Sequence, residues 1–481
     1  MSTGTEVAAK VRARWQALAV LLAMQLMIIL DGTVVTIALP TIQGELGFSQ
    51  AGLAWVMNAY LIAFAGLLLL AGRFGDLVGG RQVFLGGLAL FTAASLLCGV
   101  ANSPELLITG RFLQGVGGAL ASAVILGMIV ALYPEPAGQA RAMGSYGFVS
   151  AGGASIGLIA GGVITQSIGW HWAFLINVPI GIVAFVLAAR LLARDRGVGL
   201  AKGADVLGAI LVTVGLSLAV FTIVQTAEPS VGATQSLLYG AVAVALLAGF
   251  VIRQARAAQP LMPLRIFRNR MISAANVVVV LMFAGGFGFQ FMTALYLQRV
   301  LGYNSLHTGL AFLPAPFMGA VMSLFLVARL TARFGTYRVL VVGLALFATA
   351  LLLISRTPVD GQYLVDVAPA LLLVGTGMGV AIPAAIMLAM SGAEPGDAGL
   401  ASGINNTAQQ TGAAIGTAVL ATLAASTTQA SAQTAASDAA AIAVRALRDG
   451  YHAAFLGAAA FLLLALALAA FLLRPTSTNN P

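Results

Sequence analysis

The chain has 481 residues, 60% of them hydrophobic and only 8% charged, against roughly a quarter charged in a soluble globular protein. No water-facing surface can be built from that composition, so a soluble enzyme or binding module is excluded and a lipid bilayer is implied as the solvent. The net charge of +9 does not point to nucleic acid, because the basic residues stand singly in short loops with no soluble domain to hold them.

Apolar runs of about 20 residues, the length that crosses roughly 30 Å of hydrocarbon, start near Gln16, Leu53, Val83, Glu105, Ala142, Trp170, Val206, Ser236, Ile272, Thr308, Val339, Val367, Ala398 and Tyr451. Lys10, Arg12 and Arg14 precede the first, which continues to about Leu39 without a small-residue cleavage site and so predicts a retained helix rather than a signal peptide. The single cysteine, Cys98, falls inside the third run and excludes an internal disulfide, a thiol pair or a Cys-based metal site. With the N-terminus placed in the cytoplasm, nineteen of the 24 basic residues fall on that side. Only Arg299, Arg356, Arg445 and Arg448 fall outside, and Arg111 lies within a span. That bias predicts both termini cytoplasmic, in a bacterial inner membrane.

The loop after the second run repeats. Gly72 to Phe91 aligns without a gap to Ala328 to Phe347, pairing Arg73 with Arg329, Gly79 with Gly335, and Gly87–Phe91 with Gly343–Phe347. The fold expected is therefore all-α and polytopic: residues 1–197 form one six-helix half, 198–257 two inserted helices, and 258–481 a second six-helix half. Repeated halves place a substrate site between them near the midplane. The inserted pair carries little polarity and is expected outside the transport path.

Asp31 is the acidic residue well inside a span, and a carboxylate at the bilayer centre costs roughly 2.5 to 3.5 kcal/mol on insertion scales. Asp31 lies about eight residues from the outer end of span 1 and Arg111 about six from the outer start of span 4, so at about 1.5 Å per residue their depths agree. If the spans touch, the pair is either a proton-coupling site or a structural ion pair that fixes helix packing. Gly153, Gly157 and Gly161, followed by Gly162, present a smooth face for close helix packing. Pro179, Pro314 and Pro316 predict kinks or ordinary irregularity. Ser402, Asn405, Asn406, Gln409 and Gln410 form a polar stripe on span 13, with each Asn four residues before a Gln; such amides line a substrate cavity or bond neighbouring helices. Gln25, Asn58, Tyr60, Gln114, Gln290 and Gln298 are candidates of the same type. Arg73, Asp76 and Arg81 form a charged loop, read as a conformational latch or a solvated charge pattern.

Five segments in order carry a resemblance: LDGTVVTIALP (Leu30–Pro40), Gly72–Arg81, RFLQGVGGA (Arg111–Ala119), GWHWAFLINVPIG (Gly169–Gly181) and SGINNTAQQTGAAIG (Ser402–Gly416). The chain resembles the major facilitator superfamily, and within it the fourteen-helix drug/proton antiporter branch. The resemblance implies that spans 1 and 4 touch and that the chain is a monomeric secondary transporter rather than an enzyme. It further implies export of a small hydrophobic substrate in exchange for protons, with no cofactor, no metal and no nucleic-acid partner. Four positions depart from the pattern. Leu77 and Gly80 stand where the loop motif carries basic residues, Leu158 follows Gly157 where the antiporter motif carries proline, and His171 replaces an arginine.

Neither Lys10 nor Lys202 follows a glycine, so a GxxxxGK[ST] phosphate loop is absent and ATP hydrolysis through one is excluded. An uptake symporter of the same fold is the rival reading. The second half has no acid deep in a span, Asp366 being near an outer end, which favours a neutral or zwitterionic cargo over a permanent cation.

Overall fold

The computed structural model describes residues 2–195, 197, 199, 203–226, 233–391, 398–433 and 439–474. Arg196 and, apart from Gly199, the loop from Val198 to Lys202 lie outside the described residues.

Among the described residues, fourteen helices are long and apolar enough to cross a membrane. They are α1 Ala13–Leu46, α2 Ala54–Val78, α3 Gly80–Gly99, α4 Pro104–Leu132, α5 Arg141–Ser167, α6 His171–Leu191 and α7 Val206–Gln225, followed by α8 Thr234–Arg256, α9 Arg270–Arg299, α10 Ser305–Phe334, α11 Thr336–Ile354, α12 Tyr363–Ser391, α13 Leu400–Gln433 and α14 Ile442–Leu472. The expected all-α polytopic fold is the observed one, and among the described residues there is no strand. The largest boundary error is at α14, expected near Tyr451. Its first turns carry Arg445 and Arg448, which interrupt the apolar run without interrupting the helix, so two charges assigned to a loop sit on helical backbone.

Local chemistry explains the breaks. Pro179 has no N–H for the carbonyl four residues back, and α6 is interrupted at Ile176. Pro314 and Pro316 do the same at Leu313 in α10, which also carries a π turn at Met322–Leu326. Gly79 and Gly335, aligned by the repeat, both sit between helices at positive φ, 104° and 82°. An L side chain is strained there.

Packing repeats as the sequence does. The neighbours α1·α5, α2·α4, α3·α4 and α3·α6 are matched by α9·α13, α10·α12, α11·α12 and α11·α14. Glycines make the closest of these contacts possible. An added Cβ at Gly157 would lie 1.8 Å from Thr33 Oγ1 on α1, and one at Gly416 would lie 2.2 Å from the Ala284 carbonyl on α9. The two halves meet through α2 with α13, α5 with α10, and α1 with α9.

The inserted pair, α7 and α8, packs against the α2–α13 seam through α7. Thr422 of α13 donates to the Ile223 carbonyl at 3.1 Å. The outer face of α8 exposes Leu237 and Val244 (75% and 67%), a lipid-facing surface well away from the region between the halves. Asp205 closes the open end of this hairpin, where the start of α7 meets the end of α8. Its Oδ1 accepts from the Gly208 N–H and Arg253 Nε, both at 3.0 Å, and its Oδ2 from Gln254 Nε2 at 2.8 Å. Gln254 Oε1 in turn accepts from the Met262 N–H at 3.0 Å. Burial pushes the Asp205 carboxyl up, but the hydrogen bonds from Gly208, Arg253 and Gln254 outweigh it and hold the group below the ordinary carboxylate value.

A carboxyl with a depressed pKa stabilises the fold above its unfolded value, and that contribution disappears as pH falls through the folded one. Asp205→Ala is therefore expected to cost about 1 to 3 kcal/mol at neutral pH. In thermal unfolding of the detergent-solubilised protein, the gap to the parent should close as the pH drops below about 4.

Candidate functional site

The site is built around one buried ion pair. Arg111 Nη1 of α4 donates to Asp31 Oδ2 of α1, and both side chains are 0% exposed. Gln114, one turn along α4, donates through Nε2 to Asp31 Oδ1 at 3.0 Å and to Ser95 Oγ of α3 at 2.8 Å. Its Oε1 accepts from Arg111 Nη1 at 2.9 Å and from the Cys98 thiol at 3.4 Å. Arg111 Nε reaches the Val56 carbonyl of α2 at 2.9 Å. The guanidinium lies 4.6 Å from the Tyr60 ring centroid and 5.8 Å from that of Phe174 on α6.

One charge pair thus ties α1 through α4 together, with α6 covering it. Taking both ions out of water is expensive, and their attraction offsets this only when the remaining donors and acceptors are satisfied. Here they nearly are. Among the described residues, the buried atoms Arg111 Nη2, Tyr60 Oη and both amide atoms of Asn58 have no hydrogen-bond partner.

Several amides expected on a cavity wall are elsewhere. Gln114 is sealed inside the ion-pair network, and Asn58 and Tyr60 are buried beside it. Gln25 is buried as well. Asn405 Nδ2 donates to Asn276 Oδ1 of α9 at 3.4 Å, and Gln409 Nε2 to Asn405 Oδ1 at 2.8 Å. That half of the stripe bonds helices together. Asn406, Gln410 and Gln290 are half-buried. Asn276 was not singled out from the sequence, though a lone Asn inside an apolar run was a usable signal.

The loop charges also take unexpected partners. Arg73 stands 4.0 Å from Asp76, but it also donates to the Gly203 carbonyl at 3.4 Å and to Gln259 Oε1. Arg81 donates to the Ala189 carbonyl at 2.6 Å, and Asp76 is exposed. Asp195, not singled out from the sequence, caps the start of α3 by accepting from the Gly80 and Arg81 N–H groups at 2.5 and 3.2 Å. Of the α5 glycines, Gly153, Gly157 and Gly161 face α1, whereas Gly162 faces Ser305 and Leu306 of α10 across the seam between the halves. Leu158, standing where the antiporter motif has proline, presents its carbonyl to Gly309 of α10, close enough that a Cβ there would lie 2.3 Å away.

A model of the Major Facilitator Superfamily matches residues 21–417. The chain belongs to the Major Facilitator Superfamily. It is similar to a puromycin resistance protein of Streptomyces alboniger, 40% identical over 84% of this chain and 80% of that one. A cephamycin export protein of Amycolatopsis lactamdurans is 37% identical over 81% and 80%, and a lincomycin resistance protein of Streptomyces lincolnensis 36% over 85% and 84%. The fold matches that of a bacterial homologue of the lysosomal transporter Spinster, with a TM-score of 0.66 at 15% identity over 95% and 96% of the two chains. These relatives and the fourteen helices place this Major Facilitator Superfamily protein in the drug-efflux branch that its motifs resemble. It is a multi-pass membrane transporter of small molecules and not an enzyme.

Arg111→Ala would strand the Asp31 carboxylate in the membrane interior, and losing one partner of a buried pair costs about 3 to 5 kcal/mol. The expected result is a sharp fall in folded yield and melting temperature, partly restored by adding Asp31→Asn, which removes the stranded charge. Fluorescence-detected gel filtration with a melting series reads both; an Arg111→Ala protein as stable as the parent would contradict the energetics.

Proposed function

We propose that the chain exports small, largely apolar compounds, antibiotics above all, in exchange for protons by alternating access. The observation that carries this reading is the fully buried Asp31–Arg111 pair in a transporter whose relatives are named for resistance to puromycin and lincomycin and for export of cephamycin. The end of the bundle with the α2–α3 loop and the chain termini is the cytoplasmic one, supported by the excess of arginines in its loops. Residues 1–197 and 258–481 act as the moving halves of a monomer, with 198–257 as a lipid-facing appendage.

In the proposed cycle Asp31 exchanges a proton for the charge contact with Arg111. With Asp31 ionised, the pair draws α1 and α4 together. With Asp31 protonated, that attraction is lost while the Val56 carbonyl and Gln114 still hold Arg111 through Nε and Nη1, and α1 is free to move. Inward flow of one proton across about 100 mV supplies about 2.3 kcal/mol, enough to drive a useful concentration ratio. Arg73, Asp76 and Arg81 act as the cytoplasmic latch: Arg73 bridges the end of α2 to Gly203, before the inserted hairpin, and to Gln259, after it. The substrate sits between the halves, where Gln290, Asn406 and Gln410 offer amides among apolar walls.

No second carboxylate competes for a cationic drug deep in the second half, since Asp366 lies in the first turn of α12 and accepts from the Gln362 N–H at 2.7 Å. Neutral or zwitterionic cargo is favoured on that ground. The uptake-symporter alternative uses the same fold, and what weighs against it is the export and resistance named in the relatives.

Vesicles containing the purified protein, loaded with puromycin and given a pH jump, test direction and coupling together. The parent should move puromycin against its gradient when protons flow the other way. Asp31→Asn should lose at least tenfold of that driven transport yet still exchange labelled for unlabelled drug. Undiminished gradient-driven transport by Asp31→Asn would end the proposal.

A further inference from the structure

The outer ends of α1 and α9 are joined by two side chains that the coupling site does not use. Gln298 Nε2 on α9 donates to the Ile37 backbone carbonyl of α1 at 3.0 Å. The adjacent Arg299 donates through Nη2 to Gln43 Oε1, and Gln43 is itself held in place by donating to the Phe48 carbonyl at 2.9 Å. Ile37 and Gln43 are six residues apart, about 9 Å along the helix. The second half therefore grips the first at two points on one helix. Gln298, read from the sequence as a possible cavity amide, instead crosses between the halves.

The backbone of α1 is prepared for this contact. Pro40 lies inside the helix and has no N–H, so the Thr36 carbonyl loses its helical donor and meets the proline ring. The carbonyl that Gln298 takes is the next one along. Between the coupling carboxylate and this point, the Thr33 hydroxyl bonds back to the Ile29 and Leu30 carbonyls and the Thr36 hydroxyl to that of Gly32. Threonines bonding back in this way bend helices. The stretch from Asp31 to Pro40 is thus the soft part of α1, with the proton site at one end and the grip of the other half at the other.

The remaining contacts at this end are of a different kind. Gly162 against Ser305 and Gly309 against Leu158 are close backbone packing, which gives closure but no directional bond to break. Gln298 and Arg299 supply the directional part, and one helix turn of movement in α1 would break both bonds.

We propose that Gln298 and Arg299 form an outer clasp between the halves, docking on the backbone beside Pro40, and that this clasp sets how often the transporter opens to the outside. The proposal rests on the alternating-access reading above. Loss of a hydrogen bond of this type is expected to shift the ratio of outward-open to outward-closed molecules by roughly tenfold. Gln298 and Arg299 are positioning residues in this scheme, since their effect on transport runs through α1.

The test is a distance measurement by pulsed electron resonance in lipid nanodiscs. Spin labels go on Val100→Cys and Val365→Cys, exposed positions at the outer ends of the two halves, and Cys98 stays buried. Gln298→Ala and Arg299→Ala should each raise the population of the long outer distance about tenfold, and Arg299→Lys, which keeps a cationic donor toward Gln43, should recover most of the closed population. Should Gln298→Ala fail to fold, the comparison of Arg299→Ala with Arg299→Lys carries the same information. Unchanged distance distributions in the variants, while the parent still switches between two distances on a pH jump, would overturn the clasp and leave alternating access intact. A parent that shows one fixed outer distance under every proton and drug condition would overturn both.

Discussion

A carboxylate and a guanidinium buried together in hydrocarbon are the constraint on which the rest of this structure depends. Neither Asp31 nor Arg111 is tolerable there alone, and the pair is tolerable only because Gln114, Ser95, the Val56 carbonyl and the Tyr60 ring surround it. Those partners come from α2, α3 and α4, and Asp31 itself from α1, so the electrostatics of one pair dictates how α1 to α4 sit against each other. Among the described residues the second half has no such buried pair, and its neutral Asn276–Asn405–Gln409 chain joins α9 to α13, the counterpart of the α1–α5 contact in the first half.

The same packing solution appears twice with different chemistry in it. Small residues on α5 let it lie on α1, and Gly412 and Gly416 on α13 let it lie on α9. Gly79 and Gly335 make the same reversal between helices in each half. What differs is the cargo of polar groups. The first half holds a buried ion pair and the second a chain of uncharged amides, a difference that fits the proposed exchange of proton for substrate.

Depth was legible in the sequence because helix rise and bilayer thickness are fixed quantities; the Asp31–Arg111 match followed from counting residues to the nearest loop. Rotation was not. Whether Gln114 faces a cavity or an ion pair, and whether Asn405 faces substrate or α9, depends on how each helix is turned against neighbours hundreds of residues away, and apolar runs carry little periodicity to fix it. Loop charges failed for a related reason. Asp195 and Arg73 find their partners in backbone groups, Gly80 N–H and the Gly203 carbonyl, which no charge pattern reveals. The start of α14 was missed because Arg445 and Arg448 break hydropathy while leaving helical hydrogen bonding untouched. Gln298 was misread because its acceptor is a carbonyl beside Pro40, visible only once α1 and α9 are seen side by side.

The central claim is that Asp31 trades a proton for substrate. Proton release can be read directly, by adding puromycin to lightly buffered, detergent-solubilised protein with a pH indicator present. The account predicts release approaching one proton per bound drug from the parent and none from Asp31→Asn at matched occupancy. Equal release from both proteins would contradict it.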